Sequence, residues 1–319
     1  MKLDVTLVVP MLNEAHALHE LLEAVSAQTL RPRELIFSDA GSTDGSPAVV
    51  EKWWRDHGWE GAECRVLSFP GAMPGAGRNA GVRAARHEWI AFLDAGIAPE
   101  RDWLERLASC ATDKQLEAVF GQCHFSSDLP LGRAVCALSY GQGAVHPVIP
   151  ASLFRRTVFE KVGFFPEKLR AAEDLIWLSR FLECYGSRET CLDAVVRYTH
   201  FPASWSAAFR KWRVTEYHCV MAGARRRQHL VYLALIPLLY GGLLFGAMPG
   251  VGVFSLYLIL RGVVDPARRS KDRPWWRGQP AAFLIAPPLS AVLDVAKLLG
   301  IVGALVVRAV SMASARRFN

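Results

Sequence analysis

The chain of 319 residues is 51% hydrophobic and has a positive mean hydropathy, enough apolar material for a sizeable core, which excludes a disordered chain. Its formal charge of +7 hides an asymmetry: residues 1–200 hold 21 Lys/Arg against 26 Asp/Glu, net −5, and residues 201–319 hold 16 against 4, net +12. The basic part is also the apolar part, which argues for a membrane surface and against nucleic acid as a partner.

From the N-terminus, short β-like runs alternate with helix-like stretches: VTLVVP (5–10), a helix over 14–28, ELIFS (34–38), a helix over 44–57, CRVLSF (64–69), a helix over 77–86 and EWIAFLD (88–94). Such alternation predicts an α/β fold with a parallel or mixed sheet flanked by helices, and ligands beyond the carboxyl ends of the strands. Three strand ends converge there on this reading, Pro10 to Glu14, Ser38 to Ser42, and Asp94-Ala95-Gly96. Asp44-Gly45 is better read as a turn and helix cap. Strands are expected near 116–125, 145–154 and 191–199, and helices over 155–162 and from Asp174 to about Tyr185.

Beyond residue 203 the character changes. Residues 204–227 set Trp205, Phe209, Trp212, Tyr217 and Val220 among Arg210, Lys211, Arg213 and Arg225 to Arg227, the pattern of a basic amphipathic helix at a bilayer interface. Residues 229–260 contain no acid, Lys or Arg, and are broken at Met248-Pro249-Gly250 into two expected helices, the second short for a bilayer core of about 30 Å. Basic clusters on both sides of that hairpin place both its ends in the cytosol. Residues 281–307 carry Pro287-Pro288 and the charged pair Asp294 and Lys297, so a half-inserted or surface-lying hairpin is expected there. The expected division is therefore 1–203, a catalytic domain; 204–228, an interfacial helix; and 229–319, membrane-associated helices. The seven cysteines are odd in number and form no C-x-x-C pair, so reduced thiols are expected, not a disulfide framework or zinc site. MKLDVTLVVP enters a strand without the features of a secretion signal, which predicts an inner-membrane protein with its catalytic part in the cytoplasm.

VTLVVPMLNEAHALHELLEAVSAQTLRPRELIFSDAGSTDGS, GAGRNAGVRAARHEWIAFLDAG, FRRTVFEKVGFFPEKLRAAEDLIWLSRF and RYTHFPASW resemble, in order and spacing, the motifs of family-2 glycosyltransferases. These are inverting enzymes of GT-A fold that use nucleotide-sugar donors. The resemblance covers about residues 4–215. It implies a UDP- or GDP-sugar site at Pro10, Asn13, Glu14, Asp39 and Ser42, with Arg78 and Asn79 facing the donor. It also implies a divalent cation, Mg2+ or Mn2+, on the donor diphosphate. Two departures stand out: Ala40 replaces the second acid of the first motif, and Gly96 replaces the second acid of the D-x-D motif, leaving Asp94. One carboxylate suffices for a weak hard-cation site if diphosphate oxygens and waters complete the shell. His200 is a candidate extra ligand or a structural histidine, and Arg210, Lys211 and Arg213 either cover the diphosphate or bind lipid headgroups.

Glu173-Asp174 matches the acidic motif at which the family places its general base. A sugar hydroxyl must lose its proton as it attacks the anomeric carbon, so Asp174 is the expected base, with Glu173 orienting the acceptor. Single displacement inverts the configuration and needs no covalent intermediate. An enzyme that loads a polyprenyl phosphate attacks with an oxygen already anionic and has little need of a base. The acid pair therefore favours a hydroxyl on a lipid-linked or glycan acceptor. A polyprenyl-phosphate glycosyltransferase and a catalytically weak donor-binding membrane scaffold remain the alternatives. A nucleotidyltransferase is disfavoured, because PMLNEAHAL lacks a basic Gly-rich loop.

Overall fold

Apolar residues run almost unbroken through Val5–Met11 (β1), as they do in strands covered on both faces, and Val5, Leu7, Val8, Val9 and Met11 are all buried. The computed structural model describes residues 3–244 and 248–317. After β1 come α1 (Ala15–Ser26), β2 (Glu34–Asp39), α2 (Ser46–His57), β3 (Glu63–Ser68), α3 (Pro74–Ala84) and β4 (Trp89–Phe92). Prolines near the start of α2 and α3 suit positions whose N–H has no helical acceptor. β1 pairs in parallel with β2 and β4, and β2 with β3. The register sets Met11 beside Asp39 and Asp39 beside Ser68, so these strands end in line. The strand-end loops consequently open on one edge of the sheet, as the alternating pattern predicts.

The chain continues through β5 (Ile97–Pro99), α4 (Trp103–Asp113), β6 (Ala118–Phe125), α5 (Pro130–Ser139), β7 (Ala144–Arg155), α6 (Arg156–Val162), α7 (Glu173–Tyr185) and β8 (Thr190–Tyr198). The sheet has eight strands in the order β3-β2-β1-β4-β7-β6-β8-β5, with β4–β7 and β5–β8 antiparallel. It is the mixed sheet flanked by helices that the sequence predicts. An aromatic cluster of Phe92, Phe120, Phe154, Phe159, Phe165, Trp177 and Phe181 locks α7 onto this sheet. Trp177 stacks on Phe165 at 4.9 Å between centroids and donates its indole N–H to the Gly163 carbonyl at 2.9 Å. These contacts fix where α7 begins.

Two compact units divide the chain: Met1–His124, Val145–Leu169 and Glu173–Thr199 form the first, and Phe125–Ala144, Arg170–Ala172 and His200–Asn319 the second. The second unit contains α5, α8 (Trp205–Met221), α9 (Arg226–Leu244), α10 (Met248–Ile259), a π-helical turn over Leu260–Val264, α11 (Asp265–Arg269) and α12 (Ala281–Arg317). The expected break near 248–250 falls where α10 begins, and residues 245–247 lie outside the described residues. Two sequence-based expectations are corrected here. Continuation of α10 through the π-helical turn gives an apolar helix over Pro249–Arg269, 21 residues and long enough to cross a bilayer, in place of the short segment expected. Residues 281–317 form one continuous helix through Pro287-Pro288 and not a hairpin. Its Asp294 and Lys297 are buried against protein: Asp294 accepts from Tyr232, Tyr257, Arg261 and Lys297, which removes the need to seat bare charges in lipid. α8 packs along α12, where a Cβ on Gly300 would lie 2.3 Å from the Arg213 carbonyl oxygen.

α3 lies so close to β1 that a Cβ on Gly81 would sit 2.2 Å from Cγ1 of Val8, a stiff and fully buried side chain. Gly81→Ala is expected to cost about 1–3 kcal/mol by overpacking, more than the gain of up to about 1 kcal/mol in helix propensity. Urea unfolding should show a lower midpoint with an unchanged slope.

Candidate active site

The first two strand ends are laced together by short polar side chains. Asn13 takes a left-handed conformation (φ 58°), which Asn tolerates, just after β1. Its backbone N–H donates to Ser42 Oγ at 2.8 Å, and its Oδ1 accepts from the Thr43 N–H at 2.8 Å. Asp39, 4% exposed at the end of β2, accepts from Ser42 Oγ at 2.6 Å and from the Gly41 and Ser42 N–H groups at 3.2 Å. Gly41 has φ 95°, so the loop that wraps the carboxylate needs a residue without a Cβ. Alongside, the Glu14 N–H donates to Ser46 Oγ, and Asp44 accepts from Ser46 and from the Ala15 N–H. These bonds, that to Ser46 first, hold the Asp44 carboxyl below its ordinary value. Pro10 borders the same edge, 3.2 Å from where a Cβ on Gly77 would lie.

Arg78 joins the other strand end to α7. Its guanidinium donates through one terminal nitrogen to Asp94 Oδ1 at 2.8 Å and through the other to Glu173 Oε1 at 2.7 Å. Both Arg78 and Glu173 are buried, at 4% and 5% exposure, while the Asp94 side chain is 41% exposed. Burial works against the charge on Arg78, but Asp94 and Glu173 outweigh it and its pKa is raised. Burial likewise pushes the Glu173 carboxyl above its ordinary value; Arg78 opposes the rise and the charge on Asp174 adds to it. Asp174 stands at the first turn of α7, half-buried, with Oδ1 accepting from the Leu175 N–H at 2.8 Å, and it lies within electrostatic reach of Arg78. Asp39, Arg78, Asp94, Glu173 and Asp174 all belong to the first unit.

Three expected roles change. Asn79 does not face the donor side: it is fully buried, its amide NH2 donates to the Phe165 carbonyl and Glu167, and its Oδ1 accepts from the Phe165 N–H. It anchors the segment leading to α7. Glu173 is too buried to touch an acceptor and instead holds Arg78 in place. Arg78 reaches the carboxylates of two elements and is not an open phosphate donor, although its Nε–H is buried without a partner. His200, Arg210 and Arg213, all exposed, belong to the second unit. Glu167, which accepts from both Asn79 and Arg83, went unnoticed in the sequence because nothing near it marks it out.

No group of three or more His, Cys, Asp or Glu side chains poised for a metal exists among the described residues. The charges nonetheless fit a cation better than a bare anion. Asp94, Glu173 and Asp174 surround the single cation Arg78, and a diphosphate approaching these carboxylates would be repelled. An exposed Asp94 oxygen fits one position of a hard-cation shell completed by ligand oxygens and water.

Residues 6–163 match the family described as Glycosyl transferase family 2. Among curated relatives, the chain is 30% identical over 203 residues to the pre-mycofactocin glycosyltransferase of Mycobacterium tuberculosis, covering 58% of this chain and 40% of the relative. It is 28% identical over 214 residues to the O-antigen chain rhamnosyltransferase WbaN of Salmonella anatum, covering 61% of this chain and 66% of the relative. The chain therefore spans less than two thirds of the length of either relative. Among solved structures, the mannosyltransferase PcManGT from Pyrobaculum calidifontis, in complex with GDP-Man and Mn2+, superposes with a TM-score of 0.57 at 20% identity, covering 90% of this chain and 86% of that one. That likeness is one of fold.

Arg78→Met should destabilise the protein by about 3–5 kcal/mol, because it leaves Glu173 buried without its cation. The Glu173 carboxyl then rises further above its ordinary value, and the native state holds a proton that the unfolded chain releases. The variant should accordingly regain stability, relative to the unaltered protein, as pH falls from neutral toward the ordinary carboxylate range. Adding Glu173→Gln should restore part of the loss and abolish that pH dependence, as read from urea midpoints across pH.

Proposed function

With residues 6–163 placing this chain in glycosyltransferase family 2, we propose that it moves a sugar from a UDP- or GDP-sugar to a hydroxyl of a lipid-linked or glycan acceptor, with inversion, at the cytoplasmic face of the inner membrane. The observation that carries this reading is the Arg78 bridge, which ties Asp94 at one strand end to the helix start that bears Asp174. A single charged side chain thereby couples the end of the sheet where donors bind in α/β folds to a carboxylate suited to proton abstraction.

In this reading Asn13, Glu14, Asp39 and Ser42, with Pro10 beside them, receive the nucleotide. Asp39 takes a ribose hydroxyl or base N–H in exchange for its long bonds to the Gly41 and Ser42 N–H groups. Asp94 would help hold a divalent cation, Mg2+ or Mn2+, which when bound would offset the diphosphate charge. Arg78 limits the negative charge at Asp94 and keeps α7 in register with the strand end. Asp174 accepts the acceptor hydroxyl's proton as its oxygen attacks from the face opposite the departing diphosphate. Glu173 acts as a positioning residue through Arg78. The exposed Arg210 and Arg213, in the second unit, serve lipid headgroups.

Support for a membrane setting comes from the two helices long and apolar enough to cross a bilayer, Pro249–Arg269 and Ala281–Met312, and from the basic residues that flank them. A relative named for O-antigen chain rhamnosyl transfer supports an envelope polysaccharide as product. On this reading residues 1–203 carry the chemistry, 204–228 meet the interface and 229–319 associate with the membrane.

Asp174→Asn should lower nucleotide release with acceptor present by about 10²–10⁴-fold while donor binding by calorimetry stays within a few fold. Turnover unaffected by the substitution would point to an acceptor that is already anionic, a polyprenyl phosphate, and would remove Asp174 as base. EDTA should depress turnover and donor affinity together. A product that retains the donor's anomeric configuration would exclude single displacement.

A further inference from the structure

A cavity of about 520 Å³ lies wholly inside the second unit, bordered by α5, α8, α9, the π-helical turn, α11 and α12. Five cations line it: Lys211, Arg225, Arg261, Arg269 and Lys297. Only two carboxylates do so, Glu216 and Asp265, with the buried Asp294 bonded behind them. Asp294 is answered by Arg261 and Lys297, Asp265 by Arg261 and Arg269, and Glu216 by Arg225. The lining and Asp294 together carry five formal positive charges against three negative ones. Thr215, Ser139 and Tyr232 line it as well, with the Ser139 hydroxyl donating to the Val135 carbonyl and that of Tyr232 to Asp294. Forked guanidiniums and the ammonium groups of Lys211 and Lys297 around a partly open hollow make up a donor set that recognises phosphate oxygens. The volume falls in the range of small-ligand sites.

Two backbone irregularities occur at this cavity. Arg225 adopts a left-handed conformation (φ 54°), costly for a residue with a Cβ and retained here where its guanidinium reaches Glu216 Oε1. The turn that carries Arg261 is π-helical, a departure from α-helical winding that is frequent at functional sites. The same turn has two faces: Arg261 points inward, with its side chain 16% exposed, while Leu260 and Val264 stand outside at 50% and 39% exposure. α10 extends that apolar exterior through Val253, Leu256 and Ile259, all more than half exposed. A cationic hollow lined by Arg261, on the same continuous helix as a strip of exposed aliphatic side chains, matches a molecule with an anionic head and a hydrocarbon tail.

We propose that this cavity binds the phosphate or diphosphate head of a lipid, whose tail lies along α10. The site requires no part of the transfer reading and would operate equally in a protein without turnover. A lining of net positive formal charge matches a phosphate monoester or diphosphate better than a neutral sugar or a zwitterionic headgroup.

Isothermal titration of the whole chain in neutral detergent tests this, with EDTA and excess UDP and GDP present so that a nucleotide site in the first unit does not contribute. Farnesyl diphosphate is the probe, with inorganic pyrophosphate as head alone and farnesol as tail alone. Saturable binding of farnesyl diphosphate is expected, at least about tenfold tighter than either fragment, about 1.4 kcal/mol or more. Arg225→Gln with Arg269→Gln should weaken it at least about tenfold, whereas Arg225→Lys with Arg269→Lys should stay within about threefold. No binding of farnesyl diphosphate, equal binding of pyrophosphate alone, or an unchanged affinity in the glutamine variant would each overturn the proposal. Should the glutamine variant fail to fold, the comparison of the three probes on the unaltered protein decides.

Discussion

One guanidinium sets the geometry of the first unit's strand-end edge. Arg78 leaves α3 and bonds at once to Asp94, beyond β4, and to Glu173, at the start of α7. Desolvating a buried Arg–Glu pair is costly, so the arrangement persists only because packing on every side prevents relief. Gly81 lets α3 press against Val8, Asn79 clamps Phe165, and Trp177 and Phe181 seat α7 in the aromatic cluster. The outcome is an exposed carboxylate, Asp94, beside a half-buried one, Asp174, with the intervening charge fixed by protein.

Alternating β-like runs and helix-like stretches made the first four strands and three helices legible, since strands of a parallel sheet read as apolar runs that end in polar turns. Between β4 and β7, three elements escaped. β5 is only three residues long, too short to show a period. α5, PLGRAVCALS, is made largely of small residues, and α4 follows β5 closely, beyond the turn at Asp94-Ala95-Gly96. At the site, the residue types were visible but their partners were not. An arginine in GAGRNAG looks like a phosphate ligand until the fold brings Glu173, 95 positions away, within hydrogen-bond reach. Asn79, its neighbour, points the other way into the core, because successive helix positions face different directions. Local patterns reveal which acids occur at strand ends and helix starts; long-range contacts decide which are free.

The C-terminal helices teach the reverse lesson. Asp294 and Lys297 in an apolar stretch signal an expensive burial, and the sequence invites the answer that the stretch avoids the membrane interior. The fold answers differently, by surrounding Asp294 with Arg261, Lys297, Tyr232 and Tyr257 from three other segments and its own helix. Proline pairs also mislead: Pro287-Pro288 lies within α12, and Gly262 of the π-helical turn approaches Pro287 so closely that a Cβ there would lie 2.4 Å from its Cα. A missing N–H and an absent side chain meet at that point, one irregularity accommodating the other.

A structure of the protein with a nucleoside diphosphate sugar bound tests the account most directly. The account predicts the ribose against Asp39, the diphosphate beside the outward oxygen of Asp94, and the Asp174 carboxylate facing the anomeric carbon from the side opposite the diphosphate. A donor seated away from the Arg78–Asp94 pair, or with Asp174 turned from the sugar, would contradict it.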